Sequence, residues 1–231
     1  MNHDIVYILK NGYDSEEIRY SLRSVCANFS YRKVWFYGGQ PKDIEPDCMI
    51  SVKQTGETKW SKVCSSLRAI CRNDDITPNF WLFNDDFFVM QKVEDLPPMV
   101  GGSISARIQR IMAARDGKES SYSVQLKNTA RILKTRGYDR LDYALHVPML
   151  IDRKKGLQTL EQFHGYPMFR SLYGNHHKIG GIITDDVKIT ALDIRPTGRE
   201  LLLSTNDESF RKGMVGEYIR TTFPDKCKYE L

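Results

Sequence analysis

Three short runs of β-branched and aromatic residues lie in the first 83 positions, each separated from the next by a stretch with helical spacing. Asp4-Ile-Val-Tyr-Ile-Leu-Lys10 is the first, Lys33-Val-Trp-Phe-Tyr37 the second and Asn79-Phe-Trp-Leu-Phe83 the third. Runs that are apolar throughout, without polar alternation, belong to strands covered on both faces. Between them, Ile18, Leu22 and Val25 form one helical stripe, and Val63, Leu67 and Ile70 another. Asp14 and Glu17 have capping-box spacing at the start of the first helix. Strand, helix, strand, helix, strand is the order of a Rossmann-like α/β sheet flanked by helices.

Turn signals follow each strand: Asn11-Gly12, Gly38-Gly39 and Asn84-Asp85-Asp86. Open sheets of this kind bind ligands outside the carboxyl ends of their strands, so these three turns are expected on one rim. The chain of 231 residues is 41% hydrophobic and 27% charged, the profile of one folded α/β domain over residues 1–231. No apolar run reaches the roughly 20 residues of a membrane span, and no signal-peptide pattern opens the sequence, so a cytoplasmic protein is expected. Five scattered cysteines without a C-x-x-C pair read as reduced thiols, with Cys64 and Cys71 on one buried helix face. No pattern fixes the oligomeric state.

The net charge of +5 is local. Residues 101–140 hold nine Lys/Arg against three Asp/Glu, a net of +6, which leaves the rest of the chain at −1. Gly and Ser breaks divide this stretch into two expected helices, a basic insertion beside the sheet. In the second, Lys127, Arg131 and Lys134 fall on one face at i, i+4 and i+7, a row suited to a phosphate backbone or, alternatively, a solvated charged face.

Asp85 and Asp86 end an apolar strand. Carboxylates hemmed in by Phe and Leu are costly unless a cation neutralises them, and hard oxygen ligands suit Mg²⁺ or Mn²⁺ on a substrate phosphate. A solvated turn is the alternative. Arg19 and Arg23, one helical turn apart, are candidate phosphate ligands or a pair of surface arginines. His146, in the apolar segment Tyr143–Ile151, is a candidate general base or a satisfied core histidine. His176 and His177 are adjacent and, on a strand, would face opposite ways. Asp186 is a candidate ligand or base in a second acidic pair with Asp185.

In order along the chain, these segments resemble the Stealth family of sugar-phosphate transferases. Asp4-Ile-Val-Tyr7 with Asn11-Gly12 resembles its first block. Glu17-Ile-Arg-Tyr-Ser-Leu-Arg-Ser-Val25 and Leu82-Phe-Asn-Asp-Asp-Phe-Phe88 resemble the two ends of its second. His146-Val-Pro148 with Asp152 resembles the third, and Asp185-Asp186 part of the fourth. Leu9 and Asn11 stand where the family carries Trp and an acidic residue. The short length, Arg170-Ser-Leu-Tyr-Gly-Asn175, Gly180-Gly181 and the Phe223-Pro224 to Tyr229-Glu230 ending are similar to compact phage-encoded glycosyltransferases of the same fold.

The resemblance implies a GT-A-like fold and a nucleotide-sugar donor. Asp85 and Asp86 would hold a divalent metal, and Asp86, His146 and Asp186 would serve catalysis. Asp4, Asn11, Gly12, Arg19, Arg23 and Arg170 would bind the donor. It allows a hydroxymethylated base of phage DNA as acceptor, met by the 101–140 patch, or a cell-surface polysaccharide. A non-catalytic nucleic-acid-binding module is the rival from another class.

Overall fold

A computed structural model describes residues 2–12, 15–166 and 168–231. In chain order the elements are β1 (Asp4–Leu9), α1 (Glu16–Asn28), β2 (Val34–Gly38), β3 (Cys48–Ile50), α2 (Lys59–Arg72), β4 (Asn79–Phe83), β5 (Phe87–Val89) and β6 (Met99–Val100). There follow α3 (Ile104–Ala113), α4 (Ser121–Thr135), β7 (Met149–Asp152), α5 (Arg153–Gln162), α6 (Phe169–His176), β8 (Ile182–Ile183), β9 (Leu202–Ser204), α7 (Asp207–Lys212) and α8 (Met214–Thr222). The fold is mixed α/β. Its main sheet has the order β3-β2-β1-β4-β7; the first four strands are mutually parallel and β7 runs antiparallel to β4.

The apolar runs are buried on both faces. Ile5, Tyr7, Phe36 and Phe83 pack against Ile18, Leu22 and Val25 of α1. Val6, Trp35, Tyr37, Phe80 and Leu82 pack against Cys64, Leu67, Ile70 and Cys71 of α2. Each such side chain contributes about 1.5–3 kcal/mol of transfer free energy, enough to fix a register in which a one-residue slip would exchange the two faces. Val63, expected in the α2 stripe, is 37% exposed, and Cys64 occupies the buried position beside it. Asp14 lies outside the described residues. Ser15 is the N-cap of α1 without a side-chain bond to the helix backbone; its hydroxyl donates instead to Oε2 of Glu17, which turns inward.

The basic insertion consists of the two expected helices. Its ends are pinned together by Gly101 N–H to Asp142 O and Asp142 N–H to Gly102 O, both 2.8 Å. Ile104, Leu126 and Leu133 seat it on Phe163, Met168 and Leu172. The small β5–β9 ladder and the C-terminal helices share another core, with Phe88, Leu203, Phe210, Val215 and Ile219. Among the described residues no helix is long and apolar enough to cross a membrane.

Candidate active site

The parallel register brings the three turns to one rim: Leu9 pairs with Gly38, and Tyr7 pairs with Phe83. Gly38 and Gly39 let the end of β2 press on the end of β1; a Cβ at Gly38 would stand 2.2 Å from the Leu9 carbonyl oxygen, and φ there is +107°. Beside them opens a cleft of about 720 Å³ walled by Ile8, Lys10, Glu17, Lys59, Asp85, Asp86, Lys188, Asn206, Asp207 and Glu208.

Asp86 receives Lys188 Nζ on Oδ2 at 2.8 Å, while its Oδ1 is buried with no hydrogen-bond partner among the described residues. Burial, then the charge of Asp86, pushes the Asp85 carboxyl up to about 6. Burial likewise lifts Glu17 to about 7, against a hydrogen bond from the Thr205 hydroxyl to Oε1 and with the help of Asp86 and Asp85. Among the described residues no three His, Cys, Asp or Glu side chains stand together closely enough to hold a metal ion by themselves. The pair Asp85–Asp86, with one carboxylate oxygen unsatisfied, fits a hard cation that takes its remaining ligands from water or a diphosphate.

Adjoining this cleft, and not part of its walls, is a second cluster. His146 Nδ1 lies 2.9 Å from Asp186 Oδ2, and the His146 backbone N–H donates to Asp186 Oδ1 at 3.1 Å. Arg107 of α3 closes the chain with a 2.8 Å bond to Asp186 Oδ2. Burial works to raise the Asp186 carboxyl, but His146 and then Arg107 overrule it and hold it well below the usual carboxylate range. A carboxylate can only accept, so a neutral His146 carries its proton on Nδ1 and its lone pair on Nε2. The ring meets the edge of Phe87, the residue after Asp86, at 6.5 Å. Lys188, two positions beyond Asp186, completes the connection to Asp86.

Several donor-site expectations are corrected. Asp4 opens β1 at the amino edge of the sheet, opposite the rim, and is wholly buried by Arg32, the Trp35 indole and the Thr77 N–H. Arg23 makes a two-pronged pair with Glu230, 2.7 Å on each side, and binds the Phe223 and Pro224 carbonyls. Arg19 donates to the Lys42 carbonyl. Arg23 is thereby committed to the C-terminal segment on every nitrogen, and Arg19 is tied to the β2–β3 loop through one. Arg170 is turned onto backbone carbonyls inside the fold.

Asn11 and Gly12 do stand on the rim; the Asn11 amide reaches the Val52 carbonyl at 3.3 Å, and Gly12 has φ +70°. Lys127, Arg131 and Lys134 are exposed along α4, with Lys127 paired to Glu119. Asp185 makes no bond to His146; its neighbour does. His176 and His177 end a helix, with rings 4.4 Å apart, and are occupied by Tyr138 and by Thr159 and the Lys155 carbonyl. Residue types alone had not singled out Glu17, Arg107 or Lys188 as site residues. Glu17 read as a helix cap, and Arg107 was one cation among nine.

No family model matches the chain, and no curated protein matches it. Solved structures with some likeness include the apo form of the glycosyltransferase GlyE from Streptococcus pneumoniae TIGR4, at 14% identity and TM-score 0.38 over 80% of this chain and 46% of that one. A second GlyE structure gives 12% and 0.36 over 97% and 50%. The apo form of mouse xyloside xylosyltransferase 1 gives 8% and 0.39 over 100% and 96%. The chain spans about half the length of the GlyE structures it matches. Similarity at this level assigns neither activity nor substrate.

Proposed function

We propose that the chain is a metal-assisted transferase that takes a sugar, or a sugar phosphate, from a nucleotide-sugar donor to an acceptor hydroxyl. The observation that carries this reading is the unsatisfied, buried carboxylate oxygen of Asp86, beside the desolvated carboxyl of Asp85, in a cleft at the carboxyl ends of parallel strands. The resemblance of the Asn84-Asp85-Asp86 and Arg-Tyr-Ser-Leu-Arg-Ser segments to the Stealth family supports it independently.

A divalent cation held by Asp85 and Asp86 would supply electrostatic stabilisation of the departing phosphate. Lys188, fixed by Asp86, adds positive charge at the same place, and Lys10 and Lys59 line the same cleft. The Asn11-Gly12 turn borders the donor. His146, held in one orientation by Asp186 and Arg107, receives the acceptor proton on Nε2. Glu17 is the competing proton acceptor, because its carboxyl lies in the cleft and changes charge near neutral pH.

The acceptor is proposed to be polyanionic, met by the exposed Lys127, Arg131 and Lys134 face, as phage DNA carrying hydroxymethylated bases would be. A polysaccharide acceptor and a non-catalytic nucleic-acid module are the other outcomes. The test is release of nucleoside diphosphate or monophosphate from UDP-glucose, UDP-N-acetylglucosamine and GDP-mannose, with and without Mn²⁺. Mn²⁺-dependent hydrolysis that disappears in Asp86→Asn is expected. DNA binding with no hydrolysis of any donor would establish the module instead.

A further inference from the structure

Arg170 is the one donor-site candidate whose side chain reaches the backbone beside both the carboxylate pair of the cleft and the adjoining histidine cluster. Its NH2 group reaches the Leu82 carbonyl at 3.4 Å, two residues before Asn84. NH1 reaches the Leu145 carbonyl at 3.4 Å and the Val147 carbonyl at 2.5 Å, on either side of His146. The guanidinium lies 5.4 Å from the centre of the Phe87 ring, and Phe87 both follows Asp86 and meets the His146 ring edge-on. One planar cation therefore touches the backbone before the carboxylate pair, the aromatic ring after it, and the backbone on both sides of the histidine. Burial lowers its affinity for the proton to about 10, and the charges of Asp86 and Asp186 on its two flanks work to keep it protonated.

We propose that Arg170 is a positioning residue that couples the Asp85–Asp86 arm to the His146–Asp186 arm, setting the distance between the metal-binding and proton-accepting groups. The proposal rests on the cleft being the active site. The chemistry of the residue suits the task. A guanidinium presents five donors in a fixed plane and can bridge three carbonyls at once, whereas an ammonium is a point charge on a flexible stem. Neither Asp86 nor His146 bonds the other; the β4–β7 ladder ends at the Leu82–Met149 pair, and beyond it Lys188, the Phe87 ring and Arg170 are what link the two segments.

The test compares Arg170→Lys and Arg170→Met with the parent protein in two arms. In the first, NMR follows the backbone amides of residues 85–87 and the His146 imidazole signal, assigned with His146→Asn, with the signals of His176 and His177 reporting an intact fold. Both sets are expected to move in Arg170→Met, and less in Arg170→Lys, while His176 and His177 stay in place. If only one set moves, or neither does, the coupling is overturned; should Arg170→Met not fold, Arg170→Lys decides on the same signals. In the second arm, UDP-glucose hydrolysis with Mn²⁺ should lose about 100-fold in kcat with little change in KM, the signature of misplaced reacting groups. A rise in KM at constant kcat would return Arg170 to donor binding. A parent protein that hydrolyses no donor refutes the assignment of the active site, and the NMR arm still decides the coupling.

Discussion

Replacing Glu17 by Gln should make the protein more stable at alkaline pH and leave it nearly unchanged in acid. Glu17 is 4% exposed, and its carboxyl rises from 4.5 to about 7. Between those values the unfolded chain has released its proton and the folded chain still holds it, so stability falls as pH rises through this window and is level above it. At about 1.4 kcal/mol per pH unit the accumulated loss by pH 8 is about 3 kcal/mol. Gln removes that loss and keeps an acceptor oxygen for the Thr205 hydroxyl. Urea unfolding at pH 5 and pH 8, with equal m-values, measures the difference. Glu17→Gln should match the parent to within about 1 kcal/mol at pH 5 and exceed it by about 2–3 kcal/mol at pH 8. A difference that does not change with pH, or a variant weaker at pH 8, would refute the placement of an ionisable carboxyl in a desolvated, negatively charged wall.

Asp4→Asn should cost about 3 kcal/mol in urea unfolding, because it unpairs Arg32 from a wholly buried carboxylate, and should leave donor affinity unaltered. Glu230→Gln should cost a similar amount and expose residues 223–231 to limited proteolysis, since Arg23 loses its two-pronged partner. Asp186→Asn should reduce donor hydrolysis in the presence of acceptor by about 100-fold or more, the usual weight of an oriented general base, measured as kcat. Because the Asp186 carboxyl sits below the usual range when folded, its own stabilisation is full above pH 4 and is lost only as the solution becomes more acidic than that, so the stability gap between Asp186→Asn and the parent should shrink as the pH falls below 4. Loss of Lys127, Arg131 and Lys134 should reduce the salt slope of any DNA binding by roughly 3, read from fluorescence anisotropy at several salt concentrations.

The three long parallel strands were legible because each is an unbroken apolar run, and the rim followed from the turns after them. Tyr7, Phe36 and Phe83 need cover on one face of the sheet and Val6, Trp35 and Leu82 on the other, and α1 and α2 supply it. β3 and β7 are three and four residues long and only partly buried, so composition marks them weakly. Asp85 and Asp86 were visible as a charged pair after such a run. His146 and Asp186 were separately visible, but their bond joins positions 40 residues apart, which no local pattern encodes. The failures have one cause: a charged side chain advertises charge and not its partner. Arg23 finds Glu230 at a separation of 207 residues, and Asp4 finds Arg32 across two strands. Arg107 looked like part of a nucleic-acid patch and instead orients Asp186. Glu17 read from its spacing only as a helix cap, and its carboxyl instead lies in the cleft wall.

Mn²⁺ binding followed by electron paramagnetic resonance, with and without UDP, bears most directly on the carboxylate pair. The parent protein should immobilise the ion more tightly when UDP is present, and Asp86→Asn should abolish that gain while remaining folded. An Asp86→Asn protein that binds Mn²⁺ and UDP as the parent does would show that the cation, if used at all, sits elsewhere.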